Sequence, residues 1–265
     1  MPHLHFMMDA YGVIEEHGNN VMAVYELLNS VANKLSLEPV MPPFLVPYYY
    51  CDDSEDGGIS AFIICRGGHV TIHTFPYRSC YFVDVLSDNF FLSGAAESAF
   101  RNQLYADRVR SELIDRRTIY APDDAEGIDT KNDFGPHYMI EVNDIDMTME
   151  NIYTWLDTVA PTINMLPITR PYVVYDKIED PAYISGILVV AQSHIAVHYD
   201  IAERKALIDI FSCAFLEDEN IQKILIEKFG ENVRWRLYSR GSKHNDQYKR
   251  KEMRTAVSKD WRNNI

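Results

Sequence analysis

The chain repeats itself. Displaced by 125 residues, one long stretch aligns with its later copy without gaps: Ile59-Ser60-Ala61 meets Ile184-Ser185-Gly186, His69-Val-Thr-Ile-His73 meets His194-Ile-Ala-Val-His198, and Val83-Asp84-Val85-Leu86-Ser87 meets Ile208-Asp209-Ile210-Phe211-Ser212. Two unrelated β-rich segments would share an apolar pattern. They would not share Ser, His, His, Asp and Ser in one register, so the chain reads as two copies of one unit. The flanks agree. Each copy opens on a strand-like run with a carboxylate, His5–Asp9 and His137–Glu141. A helical run follows, with apolar residues at Val21, Val24, Leu28, Val31 and Leu35, and at Ile152, Trp155, Leu156 and Val159. Three β-rich runs come next (59–66, 69–75, 80–87; 184–191, 194–199, 206–212), then a helix (93–105; 217–228) and a closing strand (108–114; 232–238).

Counting an extended run before Ser60 and Ser185, the unit is β-α-β-β-β-β-α-β. Such a unit forms a mainly antiparallel sheet with helices on one face, and its other face needs a cover. The second copy is the natural one. The expected fold is therefore α+β: a four-layer α/β/β/α sandwich, sheets face to face and helices outside. The boundaries read as repeat one at 1–115, a Pro/Asp/Gly-containing linker at 116–135, repeat two at 136–240 and a basic tail at 241–265.

Charge narrows the function. The net charge is −14. From Gly241 onward there are seven Lys/Arg and three Asp/Glu, so the body is more acidic than the total. An acidic body argues against a nucleic-acid binder and suits a cationic ligand; the tail reads as a solvated end. No apolar run reaches membrane-span length, and MPHLHFMMDAYG has neither the charged n-region nor the cleavage site of a secretory signal, so a cytoplasmic protein is expected. Cys51, Cys65, Cys80 and Cys213 form no CxxC pair and have no His at zinc spacing, so neither a metal nor a disulfide framework is expected, and such cysteines are ordinarily buried and inert.

The copies differ where the chemistry lies. Before the shared His-x-x-x-His strand, copy two has Gln192-Ser193 and copy one has Gly67-Gly68; after the next strand, copy two has Ser212-Cys213 and copy one Ser87-Asp88. Ser193-His194-x-x-x-His198 followed by Ile208-Asp-Ile-Phe-Ser-Cys213 resembles the core of the S-adenosylmethionine decarboxylases. The Ser-to-His interval of five, the Ser-to-Cys interval of twenty and the Ser185-Gly186 pair are similar to the bacterial form. Copy one resembles the same core through Thr71-Ile-His-Thr-Phe-Pro76, without the serine and cysteine. The resemblance covers about residues 3–115 and 136–240. It implies a fused tandem form with one surviving site.

What the resemblance implies is a self-made cofactor. Amino-acid decarboxylation needs an electron sink, which a carbonyl forming a Schiff base with the substrate amine provides. By resemblance, Ser193 attacks the Gln192 carbonyl, the chain parts between Gln192 and Ser193, and Ser193 becomes a covalent pyruvoyl group. His73 and Ser60 of copy one would be the base and polar partner for this step, and Cys213 the proton donor to the substrate. The mirror position, with Gly68, Asp88, Ser185 and His198, would be dead; His69, His194 and His198 read as turn or packing residues. The implied product is decarboxylated S-adenosylmethionine for spermidine and other polyamine biosynthesis.

Some positions depart from the family. Tyr77 stands where a ribose-binding Glu is usual, Gln192 where Glu is common, and the loop Cys51–Gly57 lacks an adenine-stacking ring, leaving Phe44 or Tyr48–Tyr50 to supply one. Tyr77, Asp9 and Glu141 are the candidate substrate contacts, with Asp9 and Glu141 equally readable as ordinary edge carboxylates. Two alternatives stay open: a pyruvoyl decarboxylase of ornithine or arginine, and a non-catalytic regulatory paralogue. Whether the fused chain forms a homodimer also stays open.

Overall fold

A computed structural model describes residues 3–117, 133–177 and 181–242. Repeat one contains β1 (Leu4–Tyr11), a short helix α1 (Glu15–Gly18), α2 (Val21–Lys34), β2 (Phe44–Tyr48), β3 (Gly58–Cys65), β4 (Gly68–Phe75), β5 (Cys80–Ser87), α3 (Ser93–Arg101) and β6 (Arg108–Asp115). Repeat two contains β7 (Asp133–Val142), α4 (Met149–Thr162), β8 (Tyr172–Asp176), β9 (Tyr183–Val190), β10 (Ser193–Asp200), β11 (Lys205–Phe211), α5 (Asp218–Phe229) and β12 (Val233–Ser242). Each repeat makes one six-stranded antiparallel sheet. The orders β2-β3-β4-β5-β1-β6 and β8-β9-β10-β11-β7-β12 are the same order under the repeat.

Strand periodicity decides which face goes where. Phe6, Met8, Ala61, Ile63, Val70, Ile72, Val83 and Val85 point to α2 and α3 in one apolar cluster. Ile140, Leu188, Ile195, Val197, Ile208 and Ile210 do the same for α4 and α5. The alternate residues meet across the seam between the sheets. There Phe62 and Ile64 pack with Ile187, Val189 and Ala196, while Phe75 and Phe82 pack with Phe134 and Phe211. With both faces covered, β3, β4, β5, β9 and β10 are buried along their whole length. This is the four-layer sandwich.

The helices carry their own stop and start signals. Asn20 caps α2 by accepting from the Ala23 N–H (3.0 Å), and Thr148 and Asn151 form a reciprocal capping box on α4. Gly230, at φ +67°, ends α5. Among the described residues no helix is long and apolar enough to cross a membrane.

The centre of the seam is polar. His5, His69, His73, Asp84, His137, His194, His198 and Asp209 are all buried there. Two arginines close it from opposite ends. Arg116 donates to Asp209 Oδ1 (2.6 Å) and to the carbonyls of Ile140 and Ile208 (2.9 and 3.2 Å). Arg240 donates to Asp84 Oδ1 and Asp9 Oδ1 (2.7 Å each) and to the Val83 carbonyl (3.2 Å). Ile114 faces His5 as Tyr238 faces His137, which makes Arg116 and Arg240 equivalent under the repeat. Each repeat therefore sends an arginine into the other.

The boundaries differ from the sequence reading on this account. Arg116, assigned to the linker 116–135, is fully buried as a cross-seam anchor, and β7 opens already at Asp133. β12 runs to Ser242, into the stretch assigned to the tail; residues 243–265 lie outside the described residues.

Candidate functional site

The hairpin joining β9 and β10 turns on two residues, Ala191 and Gln192, between the paired Val190 and Ser193. Gln192 sits at φ +53°, in the left-handed region that favours glycine at this place in a turn. The matching residue of repeat one, at φ +62°, is Gly67. A side chain thus occupies a backbone position that strains it, and it is held by specific partners. Gln192 Nε2 donates to the Tyr48 carbonyl (3.1 Å), and Gln192 Oε1 accepts from Ser60 Oγ (2.9 Å).

Ser193 opens β10 and is 1% exposed. Its Oγ accepts from the backbone N–H of Cys213 (2.8 Å), just beyond the end of β11. The Cys213 thiol faces the Ala191 carbonyl (3.6 Å). Strand pairing explains the proximity: β10 and β11 are antiparallel neighbours, so the start of one lies beside the end of the other.

Ser60 and His73 stand opposite each other on β3 and β4, with Ser60 Oγ 2.8 Å from His73 Nδ1. His73 Nε2 lies 2.9 Å from His194 Nδ1, the two rings stacked at 5.1 Å. Ser193 and Cys213 are therefore in direct contact, while Ser60 and His73 reach the residues on either side of Ser193. Burial pulls the His73 imidazole down to about 3 and His194 well below its ordinary value, so both are neutral near pH 7.

A cleft of about 320 Å³ opens over Ser193 and Cys213, with Tyr48, Tyr50, Cys51, Asp52, Asp53 and Asp56 on its repeat-one wall. Arg78 pins this acidic loop through Asp56 (2.5 Å) and Asp53 (2.7 Å). Cys51, read from sequence as an inert buried thiol, lies in the cleft; burial, then the neighbouring Cys213, push it up to about 11.

Three residues read as substrate contacts are placed elsewhere. Tyr77 is 47% exposed against Tyr49 (6.4 Å) and lies outside the cleft lining. Asp9 is committed to Arg240 and to the Gly241 N–H (2.8 Å). Glu141 is paired with Lys205 (2.6 Å) and Asn143 (2.8 Å). In each case a neighbour distant in sequence, or a turn that sequence spacing does not reveal, takes the side chain away.

The mirror position keeps the Ser–His–His run and has Gly68 at the place of Ser193. Ser185 Oγ is 2.8 Å from His198 Nδ1, and His198 Nε2 is 2.7 Å from His69 Nδ1. A Cβ at Gly68 would stand 1.9 Å from the Leu86 carbonyl oxygen, so this backbone cannot carry a serine there. Asp88, in the place of the cysteine, accepts from the Tyr183 hydroxyl (3.0 Å).

Sequence reasoning missed the seam's ionic network. Its signal was Asp84 and Asp209, which recur in register inside otherwise apolar strands. His5, Asp84 and His137 stand close enough to share a cation, but Arg240 donates to Asp84 Oδ1 and places its own charge there.

A family model described as S-adenosylmethionine decarboxylase matches residues 4–117 and 136–241. Among solved structures, the adenosylmethionine decarboxylase from Aquifex aeolicus is similar over 47% of this chain and 98% of its own, at 22% identity and a TM-score of 0.37. An unknown protein from Galdieria sulphuraria is similar over 90% of this chain and 99% of its own, at 10% identity and a TM-score of 0.23. Comparison with curated proteins gives no match.

Proposed function

The chain belongs to the S-adenosylmethionine decarboxylase family, and from that premise we propose that it is a self-cleaving, pyruvoyl-dependent decarboxylase proenzyme cut between Gln192 and Ser193. The observation that carries the reading is the one-sided convergence on the 190–193 turn. Ser193, the Cys213 N–H, Ser60 and His73 gather there, and the mirror turn has a glycine that admits no side chain.

Cleavage balances without a co-reactant other than water. Ser193 Oγ attacks the Gln192 carbonyl carbon; a C–O bond forms, the C–N bond breaks, and the hydroxyl proton passes to the Ser193 nitrogen. His73 then takes the Ser193 α-proton. The electron pair left behind forms the Cα=Cβ bond and expels the Gln192 carboxylate. Water replaces the nitrogen, which leaves as ammonia. The ketone so formed supplies the electron sink that decarboxylation needs.

This chain's residues supply the rest. The Cys213 N–H steadies Ser193 Oγ, and the Cys213 thiol gives its proton to the substrate α-carbon. The family points to S-adenosylmethionine as substrate, its product serving spermidine synthesis. The acidic wall Asp52–Asp56 suits the sulfonium charge, and Tyr48 and Tyr50 offer ring faces to the adenine.

One observation favours a second reading. Tyr77, at the position of the family's ribose-binding carboxylate, lies outside the cleft, while the acidic wall would equally take the side chain of ornithine or arginine. Labelled CO₂ release from each substrate separates the two. Cleavage is tested by intact mass under denaturing conditions: two fragments from the wild type and one chain from Ser193→Ala are expected, and an uncut wild type overturns the proposal.

A further inference from the structure

The bonds around Gln192 have a direction. The Tyr48 carbonyl can only accept, so it takes a proton from the Gln192 amide nitrogen (3.1 Å). That leaves Gln192 Oε1 facing Ser60, where it can only accept, and Ser60 Oγ must donate (2.9 Å). Having spent its one proton, Ser60 Oγ accepts from His73 Nδ1 (2.8 Å). A neutral imidazole protonated at Nδ1 has a bare Nε2, which accepts in turn from His194 Nδ1 (2.9 Å). The run Tyr48–Gln192–Ser60–His73–His194 is thus polarised from end to end by a backbone carbonyl.

We propose that the Gln192 side chain is a positioning residue for chain cleavage, fixing the proton of His73 on Nδ1 and leaving Nε2 as the nitrogen that accepts the Ser193 α-proton. This rests on the cleavage reading given above. The unprotonated nitrogen is the one that holds the Nδ1–H of His194 (2.9 Å), the residue bonded to Ser193. In the elimination, the His194 Nδ1–H hydrogen bond to His73 Nε2 opens, the Ser193 Cα–H bond breaks and its proton goes to the freed nitrogen, and the released pair enters the Cα=Cβ bond as the Gln192 carboxylate departs.

The mirror half supports the assignment by what it lacks. Ser185, His198 and His69 repeat the Ser–His–His run at 2.8 and 2.7 Å, but the turn residue is Gly67, which has no amide to orient it. The same geometry explains why a residue with a side chain is kept at φ +53°: the amide spans the seam to partners on β2 and β3, and the turn must hold it there.

The test separates orientation from packing. Gln192→Met removes the acceptor at similar volume, so the Ser60 hydroxyl turns to His73 and the imidazole proton moves to Nε2. Gln192→Glu keeps an acceptor for Ser60. Cleavage followed by intact mass should slow at least tenfold in Gln192→Met and stay within about threefold of wild type in Gln192→Glu. In uncut Ser193→Ala protein, imidazole ¹⁵N spectra, with the His73 signals identified by their loss in His73→Gln, should show the Nδ1–H form of His73; adding Gln192→Met should convert it to Nε2–H. An Nε2–H His73 in the Ser193→Ala protein, or Gln192→Met cleaving within threefold of wild type, overturns the proposal. Should Gln192→Met fail to fold, the tautomer in Ser193→Ala alone decides. If the wild type stays uncut, the cleavage reading fails, and the spectra still report whether Gln192 orients His73.

Discussion

The seam histidines are buried as neutral rings, and that has a measurable consequence. Burial pulls His69 down to about 4 and His73 to about 3, and lowers His5, His194 and His198 as well. A group whose folded pKa lies below its unfolded value of about 6.5 contributes stability that is present above that value and is lost as pH falls toward the folded value. Each such ring removes up to about 1.4 kcal/mol per pH unit. The carboxylates act in the same direction further down: although burial opposes it, Arg240 and Arg116 hold Asp84 and Asp209 well below the usual carboxylate range. The thermal midpoint of Ser193→Ala protein should therefore be nearly flat between pH 8 and 7 and fall steeply from about pH 6 to 4. A midpoint that moves by less than a few degrees over pH 4–7 would sink this account. At this scale the sequence is legible where a difference between the copies marks a residue, as at Ser193 and Cys213. It is opaque where a role depends on a partner across the seam. His194 reads as packing until His73 is seen stacked on it, and Asp9 reads equally as a substrate contact or an edge carboxylate until Arg240 is seen holding it.

At the level of elements, the ends of β6 and β12 do more than finish their sheets. Arg116 and Arg240 follow them into the opposite repeat, each meeting an aspartate that is 0% exposed. Removing one member of such a buried pair strands the other charge and costs about 3–5 kcal/mol. Urea unfolding of Arg240→Met in the Ser193→Ala background should show a loss of that order. Adding Asp84→Asn should recover part of it, because the stranded charge is then gone; simple additivity of the two losses would show that the pair is not coupled. The strands and helices themselves were readable, since period-2 and period-3.6 patterns recur in both copies and each reading supports the other. The connection was not. Arg116 looks like one more polar residue before a Pro/Asp/Gly stretch, and nothing local shows that its guanidinium is needed by Asp209, a residue 93 positions away.

For the whole molecule, the position of the proposed cut within the second sheet determines what cleavage would do to the particle. After a break at 192–193, the larger chain holds β7, β8 and β9, and the smaller holds β10, β11 and β12. The strand order β8-β9-β10-β11-β7-β12 interleaves them. The chains then share the β9–β10, β11–β7 and β7–β12 ladders. Arg240 of the smaller chain also remains bound to Asp9 and Asp84 of the larger. Separation would require opening a sheet buried on both faces and exposing the histidine–aspartate seam, which amounts to unfolding the second repeat. Cleaved protein should therefore elute in native buffer as one particle of 30.6 kDa, or a whole multiple of it, containing both fragments in equal amounts, and should resolve into two masses only under denaturing conditions. Elution of the 193–265 fragment by itself in native buffer would mean that the ladders between the chains do not hold, and that this arrangement of strands is wrong.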